Sequence, residues 1–226
     1  MNYAHVENGA VSAYPFSKSQ FRKKLAQGDP AIMLDPNADE AEFASFGLLP
    51  VVEEPPEHNP ARQYVTQRAT GFWTVGPTSV TATYTIHNRT LAERRPALKD
   101  KVKAFGATLL NAGYHHDFGS AIGEQVLQLR DGTDDARNWL ASQGAYTAAV
   151  MLGQGAVEEA KIRTEANETI TMSYQDGLAV LLTMQAWASS LFQTSWAKQD
   201  AIDNASTHDD LDEIDAAIET GWPGQE

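Results

Sequence analysis

The chain has 226 residues, 42% of them hydrophobic and 21% charged, a composition typical of one large or two small globular domains. It contains no cysteine, which excludes disulfides, thiolate metal sites and cysteine nucleophiles. Its formal net charge of −13 repels the phosphate backbone, so no nucleic-acid binding is expected.

The first residues, Met1–Glu7, lack the basic and apolar regions of a secretory signal, so export by that route is not expected. The longest apolar run, around Leu178 to Trp187, is interrupted by Thr183 and Gln185. It is shorter than the roughly 20 residues that a membrane span needs. No membrane insertion is therefore expected.

The front of the chain predicts a hairpin and two short helices. Asn8-Gly9, flanked by apolar residues, is the strongest short hairpin signal, because a type I′ turn needs positive φ at both central residues. Ser17-Lys18-Ser19-Gln20 fits a capping box for a helix that ends near Gly28. Asn37-Ala38-Asp39-Glu40 repeats the capping signal for a helix of barely two turns, which Gly47 stops.

Extended segments follow. Leu48–Val52 is predicted to be extended, and residues 53–60 form a proline-rich irregular connection. Gln63–Thr66, Gly71–Val75 and Val80–Ile86 alternate apolar with polar residues, as half-buried strands do. Residues 1–88 are therefore predicted to form a small, antiparallel, β-rich attachment domain.

From Thr90 onward the apolar residues recur with the period of a helix. Residues 89–107 predict a connector helix, with Pro96 near its first turn or at a kink. Residues 113–119 and 125–129 predict a hairpin. Thr133, followed by two aspartates, predicts the cap of a helix that stops near Gly153 or Gly155.

The last third predicts a hairpin and two helices. Residues 162–164 and 169–172 predict the hairpin, and Ser173 caps the longest helix, the main core element, which runs past Trp196. The last 27 residues carry nine carboxylates and no lysine or arginine, yet Leu211, Ile214 and Ile218 keep a helical apolar stripe. This predicts a packed acidic helix. Residues 108–226 are thus a helical C-terminal domain with two β-hairpins, and the fold class is α+β.

Short segments in a fixed order carry a resemblance to a known kind of protein. In the front half they are Val11–Ser17, Phe21–Lys24, Phe46–Val51, Thr66-Gln67 and Gly71–Val75; in the back half they are Tyr114–Phe118, Gln125–Arg130, Asn167–Thr171, Trp196–Ile202 and Gly221–Pro223. In this order and spacing the chain resembles tail-fibre and tail-tip-associated proteins of tailed bacteriophages, with a C-terminal domain of unassigned function.

The resemblance implies a structural protein of the virion tail, in the fibre, tip or baseplate, that is assembled in the host cytoplasm. Its implied partners are other tail proteins, further copies of itself, as a trimer by analogy with fibre parts, and a host surface receptor. The resemblance carries no catalytic motif and no cofactor, so the expectation is a protein that is not an enzyme. A tail-fibre assembly chaperone and a glycan-degrading enzyme are the alternatives.

Few residues of the sequence are candidates for metal or nucleotide binding. His115 and Asp117 can share one face of a strand while His116 points away, which leaves too few ligands for a structural zinc site without a distant third. A polar hairpin with one half-buried histidine is the favoured interpretation. Gly153-Gln154-Gly155 lacks the remaining glycine of a dinucleotide loop and is interpreted as a helix terminus.

Paired carboxylates have a structural explanation. Asp134 with Asp135, and Asp209 with Asp210, sit where helix N-termini favour negative charge, so capping is preferred to glycosidase chemistry.

Four tryptophans are candidates either for core packing or for contact with a sugar or a partner. Trp187 and Trp196 lie about 180° apart on an ideal helix, so core packing on two sides is preferred to a sugar-binding platform. Burial is also preferred for Trp73 and Trp222, although either could contact a partner if exposed.

One docking surface is predicted in the front domain. Phe16 and Phe21 beside Arg22, Lys23 and Lys24 combine apolar anchors with a basic rim, which suits an acidic partner. Trp73 completes the set of predicted partner-binding residues. The alternative is an ordinary solvated helix face.

Overall fold

The computed structural model describes residues 2–28, 34–35, 38–130 and 134–225. The predicted α+β class is confirmed, and the chain divides into two compact units, Met1–Thr90 and Leu91–Glu226. The first unit contains β1 (Tyr3–Glu7), β2 (Ala10–Phe16), α1 (Lys18–Gly28), α2 (Glu40–Ser45), β3 (Leu48–Val52), β4 (Gln63–Gln67), β5 (Thr74–Val75), β6 (Val80–Thr81) and β7 (Tyr84–Asn88). The second contains α3 (Leu91–Ala112), β8 (Tyr114–Asp117), β9 (Glu124–Leu127), α4 (Asp135–Met151), β10 (Ala160–Arg163), β11 (Thr169–Met172), α5 (Tyr174–Asn204) and α6 (His208–Ala216).

The opening hairpin is confirmed. Asn8 and Gly9 have φ values of 53° and 79°, as a type I′ turn requires, and Val6 pairs with Val11 beside the turn. Gly47 holds the other side of β1, because its carbonyl accepts a hydrogen bond from the Val6 amide at 2.7 Å. A Cβ at Gly47 would lie 2.4 Å from the Val6 carbonyl oxygen, so only glycine fits this approach.

The main sheet is mixed, not purely antiparallel as predicted. Its strand order is β2-β1-β3-β6-β5, and β3 runs parallel to β6. A parallel pair requires a long crossover, which residues 53–79 supply. The single strand predicted over Val80–Ile86 is two strands, because β6 pairs in this sheet while β7 pairs with β4 in a separate two-stranded sheet.

The predicted strand Gly71–Val75 is also shorter than expected. Residues Thr70–Phe72 form a single 3₁₀ turn, and only Thr74–Val75 is extended. The turn brings Trp73 into the core, where its indole N–H donates to the Arg68 carbonyl at 2.8 Å. Burial of the Trp73 ring therefore determines the backbone conformation here, and it overrides the strand propensity of the segment.

Both faces of β1 are covered. Tyr3 packs with Phe21 of α1 and Phe43 of α2, whereas Ala4, on the opposite face, packs with Trp73. Successive strand residues point to opposite faces, so a strand buried on both sides is a central element of its unit. Helices α1 and α2 are stabilised by packing on one of these faces.

Local capping starts both short helices. Ser17 and Gln20 exchange side-chain and backbone hydrogen bonds at 2.9 and 3.1 Å, which confirms the predicted capping box. The cap of α2 is Asp39, whose carboxylate accepts from the Glu42 amide, and not Asn37 as the repeated signal predicted. Asn37 lies outside the described residues.

Helix α5 is the central element of the second unit. Helices α3, α4 and α6 and the strands β8 and β10 all pack against it. Its 31 residues begin at the predicted cap, where the Ser173 hydroxyl accepts from the Asp176 amide. Leu181 and Met184 face the hairpins and α4, and Leu191 and Ile202 face α3 and α6.

Helix α4 fixes the hairpin of β10 and β11. The Tyr146 hydroxyl donates to the Lys161 carbonyl at 2.8 Å and accepts from the Lys161 amide at 3.0 Å, which satisfies both backbone groups. The helix ends as predicted, because the Gly153 and Gln154 amides make the paired bonds of a Schellman motif. At its start, Asp134 makes no side-chain cap bond, and the predicted cap residue Thr133 lies outside the described residues.

The acidic helix is packed, as predicted. Thr207 and Asp210 form a full capping box at the start of α6. Leu211, Ile218 and Trp222 are buried against Leu98 and other apolar residues of α3 and α5. The stripe of apolar residues therefore overrides the repulsion among the carboxylates, which remain on the solvent side.

An ion pair with a buried arginine joins α3 to α6. The Arg94 side chain is buried and donates to the Asp212 carboxylate and, at 3.2 Å, to the His208 carbonyl. Hydrogen bonds of this kind compensate the cost of desolvating a guanidinium. Pro96 is the sixth residue of α3, and the helix continues through it to Ala112.

Two helical glycines provide a matched test of the packing around α5. A Cβ at Gly177 would lie 2.7 Å from the Ala160 Cβ, whereas a Cβ at Gly144 of α4 would meet no atom within 4 Å. Gly177→Ala is expected to lower the free energy of unfolding by roughly 1–3 kcal/mol through overpacking. Gly144→Ala should raise it by up to about 1 kcal/mol, because alanine favours a helix. Urea titrations measure both, and equal effects would contradict the close approach of α5 to β10.

Removal of the chain from Thr207 onward tests whether α6 is part of the core. The deletion takes away Leu211, Ile218 and Trp222, each of which contributes roughly 1.5–3 kcal/mol through burial. Because a domain is stable by only about 5–15 kcal/mol, the second unit is expected to unfold or aggregate. Calorimetry of the truncated chain measures this, and an unchanged melting temperature would show that α6 does not hold the unit together.

Candidate functional site

An apolar groove lies between α3 and α5 in the second unit. Its volume is about 410 Å³, within the range of small binding pockets. Both helices contribute to its lining, which consists of Lys103, Gly106, Ala107, Leu110, Leu191, Phe192, Ser195, Trp196 and Gln199. The small residues on α3 create the depression, and aromatic rings on α5 form its opposite wall.

Helix α5 has two apolar faces, of which only one is covered. Leu182, Phe192 and Trp196 are 47%, 50% and 62% exposed. They fall within about 80° of one another on an ideal helix, on the side away from Met184 and Leu191. We call these three residues the α5 stripe. The expectation that Trp196 packs in the core is therefore wrong, whereas Trp187 is partly buried against the core and Trp222 is buried, as expected.

The charge pattern of α5 explains why its exposed face is unusual. Residues 177–197 contain no Asp, Glu, Lys, Arg or His. At the chain average of 21% charged residues, these 21 positions would carry about four charges. Lys198, which follows, points to the other side and donates to the Ala217 and Thr220 carbonyls at 2.8 and 2.9 Å. The uncharged run is the sequence signal that could have revealed the stripe.

The polar side chains of the groove bind partners on their own helices. The Gln199 amide donates to the Ser195 hydroxyl at 3.1 Å and to its carbonyl at 3.3 Å. The Lys103 ammonium lies 3.8 Å from the Asp100 carboxylate on the same helix. Because the groove offers apolar walls and few convergent polar atoms, it suits apolar side chains of a partner better than a reacting substrate.

Helix α4 exposes a second apolar stripe. Leu140 and Met151 are solvent-exposed, and Gly144 and Thr147 lie between them on the same face. The spacing of 4, 3 and 4 residues places all four positions along one line of the helix. Leu152, at the end of this helix, is exposed as well.

The docking surface predicted in the first unit loses two of its residues. Phe21 is fully buried and Trp73 is buried, so neither side chain is available as an exposed anchor. Burial of Trp73 was the preferred interpretation. Phe16 is half-buried, and its ring lies 6.1 Å from that of Phe21. The reason is that the apolar face of α1 covers β1 instead of facing solvent.

The predicted basic rim is largely occupied by internal contacts. Lys24 donates to the Glu7 carboxylate at 3.0 Å, and the Arg22 guanidinium donates to the Asp35 carbonyl at 3.0 Å. The Arg22 guanidinium also lies 5.2 Å from the centroid of the Phe43 ring. Lys23 is exposed. A partner for Phe16, Arg22, Lys23 and Lys24 stays a prediction.

A buried histidine that the sequence analysis did not single out lies beside Lys24. His5 Nδ1 is 2.8 Å from the Ser12 hydroxyl, 2.9 Å from the Lys24 ammonium and 3.4 Å from Glu7. Burial and the Lys24 charge lower the pKa of His5, and Glu7 opposes them. All three neighbours meet the same ring nitrogen, whereas a catalytic triad needs the acid and the nucleophile on opposite nitrogens. The cluster is therefore structural.

The histidines of β8 occupy the faces that were predicted. His115 and Asp117 are exposed, and His116 is half-buried with its ring 4.7 Å from that of Phe118. His115 Nδ1 pairs with the Glu124 carboxylate at 2.8 Å. Across residues 2–28, 34–35, 38–130 and 134–225, no group of three or more metal-ligating side chains comes together.

The acidic pair in α6 serves the helix, as preferred from the sequence. The Asp210 carboxylate accepts hydrogen bonds from the Ser206 amide at 2.8 Å, the Thr207 amide at 2.9 Å and the Ser206 hydroxyl at 3.0 Å. These donors stabilise the ionised form and lower the pKa of Asp210 to about 2. Asp209 lies in the first turn, next to the positive end of the helix dipole.

No helix within the described ranges is long and apolar enough to cross a membrane.

The Asp210 cap predicts a specific pH dependence. Because folding lowers this pKa from about 4, the stabilisation is present above pH 4 and is lost as the pH falls towards about 2. Asp210→Asn is expected to lower the melting temperature near neutral pH, and the difference from the wild type should disappear by about pH 2. Calorimetry over this range measures it, with Glu219→Gln as a control for the loss of one negative charge. A difference that persists at the lowest pH would show that the cap is not ionic.

Comparison with known proteins gives one family. No curated protein and no solved structure shows a significant match to this chain. The family described as Domain of unknown function (DUF4376) matches residues 93–219. This range is more than half of the chain, and it begins beside Arg94 in α3 and ends just after Ile218. It therefore includes the α3/α5 groove and most of the core of the second unit, and the chain belongs to the DUF4376 family.

Proposed function

We propose that this protein is a structural component of the tail of a tailed bacteriophage, in the fibre, the tip or the baseplate, and that it acts by assembling with other tail proteins. The observation that carries the proposal is the ordered series of segments, from Val11–Ser17 to Gly221–Pro223, that resembles tail-fibre and tail-tip-associated proteins. The series covers both units of the chain.

The segments of this resemblance lie at positions that build the fold. Gly47 forms the close turn against β1, and Trp222 is buried in the core of the second unit. Tyr114 packs against Trp187, with their ring centroids 5.6 Å apart. A series that coincides with turns and core contacts supports a shared architecture more than a shared reaction.

The surface of the second unit supports association with other proteins. The α5 stripe and the exposed apolar residues of α4 are grouped along helix faces. Grouped apolar surface of this kind marks sites of protein–protein contact. An assembly protein works by matching such surfaces to those of its neighbours, and it needs no reacting group. A glycan-degrading enzyme would instead need two opposed carboxylates at a fixed separation. The Asp210 carboxylate is engaged in a helix cap.

Purified phage particles test the proposal. If the chain is a tail component, quantitative mass spectrometry should find it in a fixed ratio to other tail proteins. Particles made without its gene should lack complete tails or fail to adsorb to host cells. Normal, infectious particles that form without the gene would contradict the proposal.

The same experiment separates a tail component from an assembly chaperone. A chaperone binds the fibre transiently and leaves, so particles would need the gene for assembly but contain few or no copies of the protein.

A further inference from the structure

We infer that a second copy of this chain packs on the α5 stripe and the adjoining α3/α5 groove, so that the second units of two copies associate through Leu182, Phe192 and Trp196. This inference goes beyond the proposed tail function and does not rest on it, because it concerns the purified chain alone. It assigns a partner to an exposed face of α5 that the described residues of its own unit leave uncovered.

The exposed area is large enough for a weak interface. Leu182, Phe192 and Trp196, each about half or more exposed, together present on the order of 350 Å² of apolar surface. Each partner in a standard interface contributes roughly 800 Å², so the stripe supplies a little under half of that area. The groove residues beside it add to the contact. Weak association, of about micromolar strength, is expected of a contact smaller than a standard interface.

The charge distribution favours a second copy over a foreign partner. Two chains that each carry a net charge of −13 repel one another, so they associate most favourably through surfaces that carry little charge. A twofold contact also brings the same patch of both subunits together, and any carboxylate near its centre would face its own kind. The exposed face of residues 177–197 meets this condition because it carries no ionisable side chain. A foreign partner of an acidic protein would instead be expected to use the carboxylates.

The face contains both features that a self-complementary contact needs. The exposed rings of Phe192 and Trp196 line one side of a groove of about 410 Å³, and Gly106 and Ala107 of α3 leave room in it because neither carries more than a methyl group. An isologous contact needs a projection and a depression on the same surface, so that the ring of one copy enters the groove of the other and the reverse. Lys103 at the edge of the groove is the single charged residue in its lining.

Sedimentation velocity of the purified full chain tests the inference. The wild type is expected to show a concentration-dependent shift from monomer to dimer over the micromolar range. Added salt should strengthen the association, because salt screens the repulsion between acidic chains and does not weaken apolar contacts. A wild type that stays monomeric at all concentrations would overturn the inference.

Two substitutions locate the contact. Trp196→Lys is expected to weaken dimerisation at least about tenfold, as loss of a central aromatic residue does at interfaces. Each chain becomes less negative, so greater overall repulsion between the chains cannot explain the loss. The two introduced lysines would face each other only if this face forms the twofold contact. Phe192→Lys should act in the same direction. Both side chains are at least half exposed, so the melting temperature of the monomer should change little.

Phe72→Lys is the matched control. Phe72 is 59% exposed, close to the 62% of Trp196, and it lies in the first unit. The substitution removes an exposed aromatic ring and adds the same charge, and it should leave dimerisation unchanged. Wild-type dimerisation in both Trp196→Lys and Phe192→Lys, or equal weakening in Phe72→Lys, would contradict the assignment of this face.

Discussion

Burial of one face of α5 is the constraint on which the second unit depends. This helix supplies apolar residues to both cores of that unit, Met184 among the hairpins and α4, and Leu191 between α3 and α6. Every other helix of the unit packs against it. The acidic helix α6 stays folded because its apolar stripe, with Leu211 at its centre, completes the core beside α3 and α5. The carboxylates of α6 are thereby kept at the surface, where they cost little.

The same helix accounts for the most unusual part of the surface. A helix that is apolar on more than one side is normally covered on more than one side. Here the α5 stripe is left open, next to a groove lined by small residues of α3. Arg94 and Asp210 serve the structure, since Arg94 binds α6 and Asp210 caps it. Apolar complementarity is therefore the feature of this unit most suited to function.

Local signals made much of the fold predictable. Asn8-Gly9 specified a hairpin, and Ser17 and Ser173 marked helix starts, because each signal acts through hydrogen bonds within a few residues. The parallel pairing of β3 with β6 was not predictable, since the two strands are separated by a long crossover without a local signal. The exposure of Trp196 was missed for a related reason. Helical periodicity shows that a residue lies on an apolar face, but not whether a neighbour covers that face.

Oxidative footprinting of the purified chain by mass spectrometry tests the central claim most directly, since it reads the exposure of individual side chains. If a second copy covers the α5 stripe, modification of Trp196 should fall as the protein concentration rises through the micromolar range. Modification of Phe72, which lies in the first unit, should stay constant. Equal modification of Trp196 at all concentrations would show that the stripe stays open to water and would contradict this account.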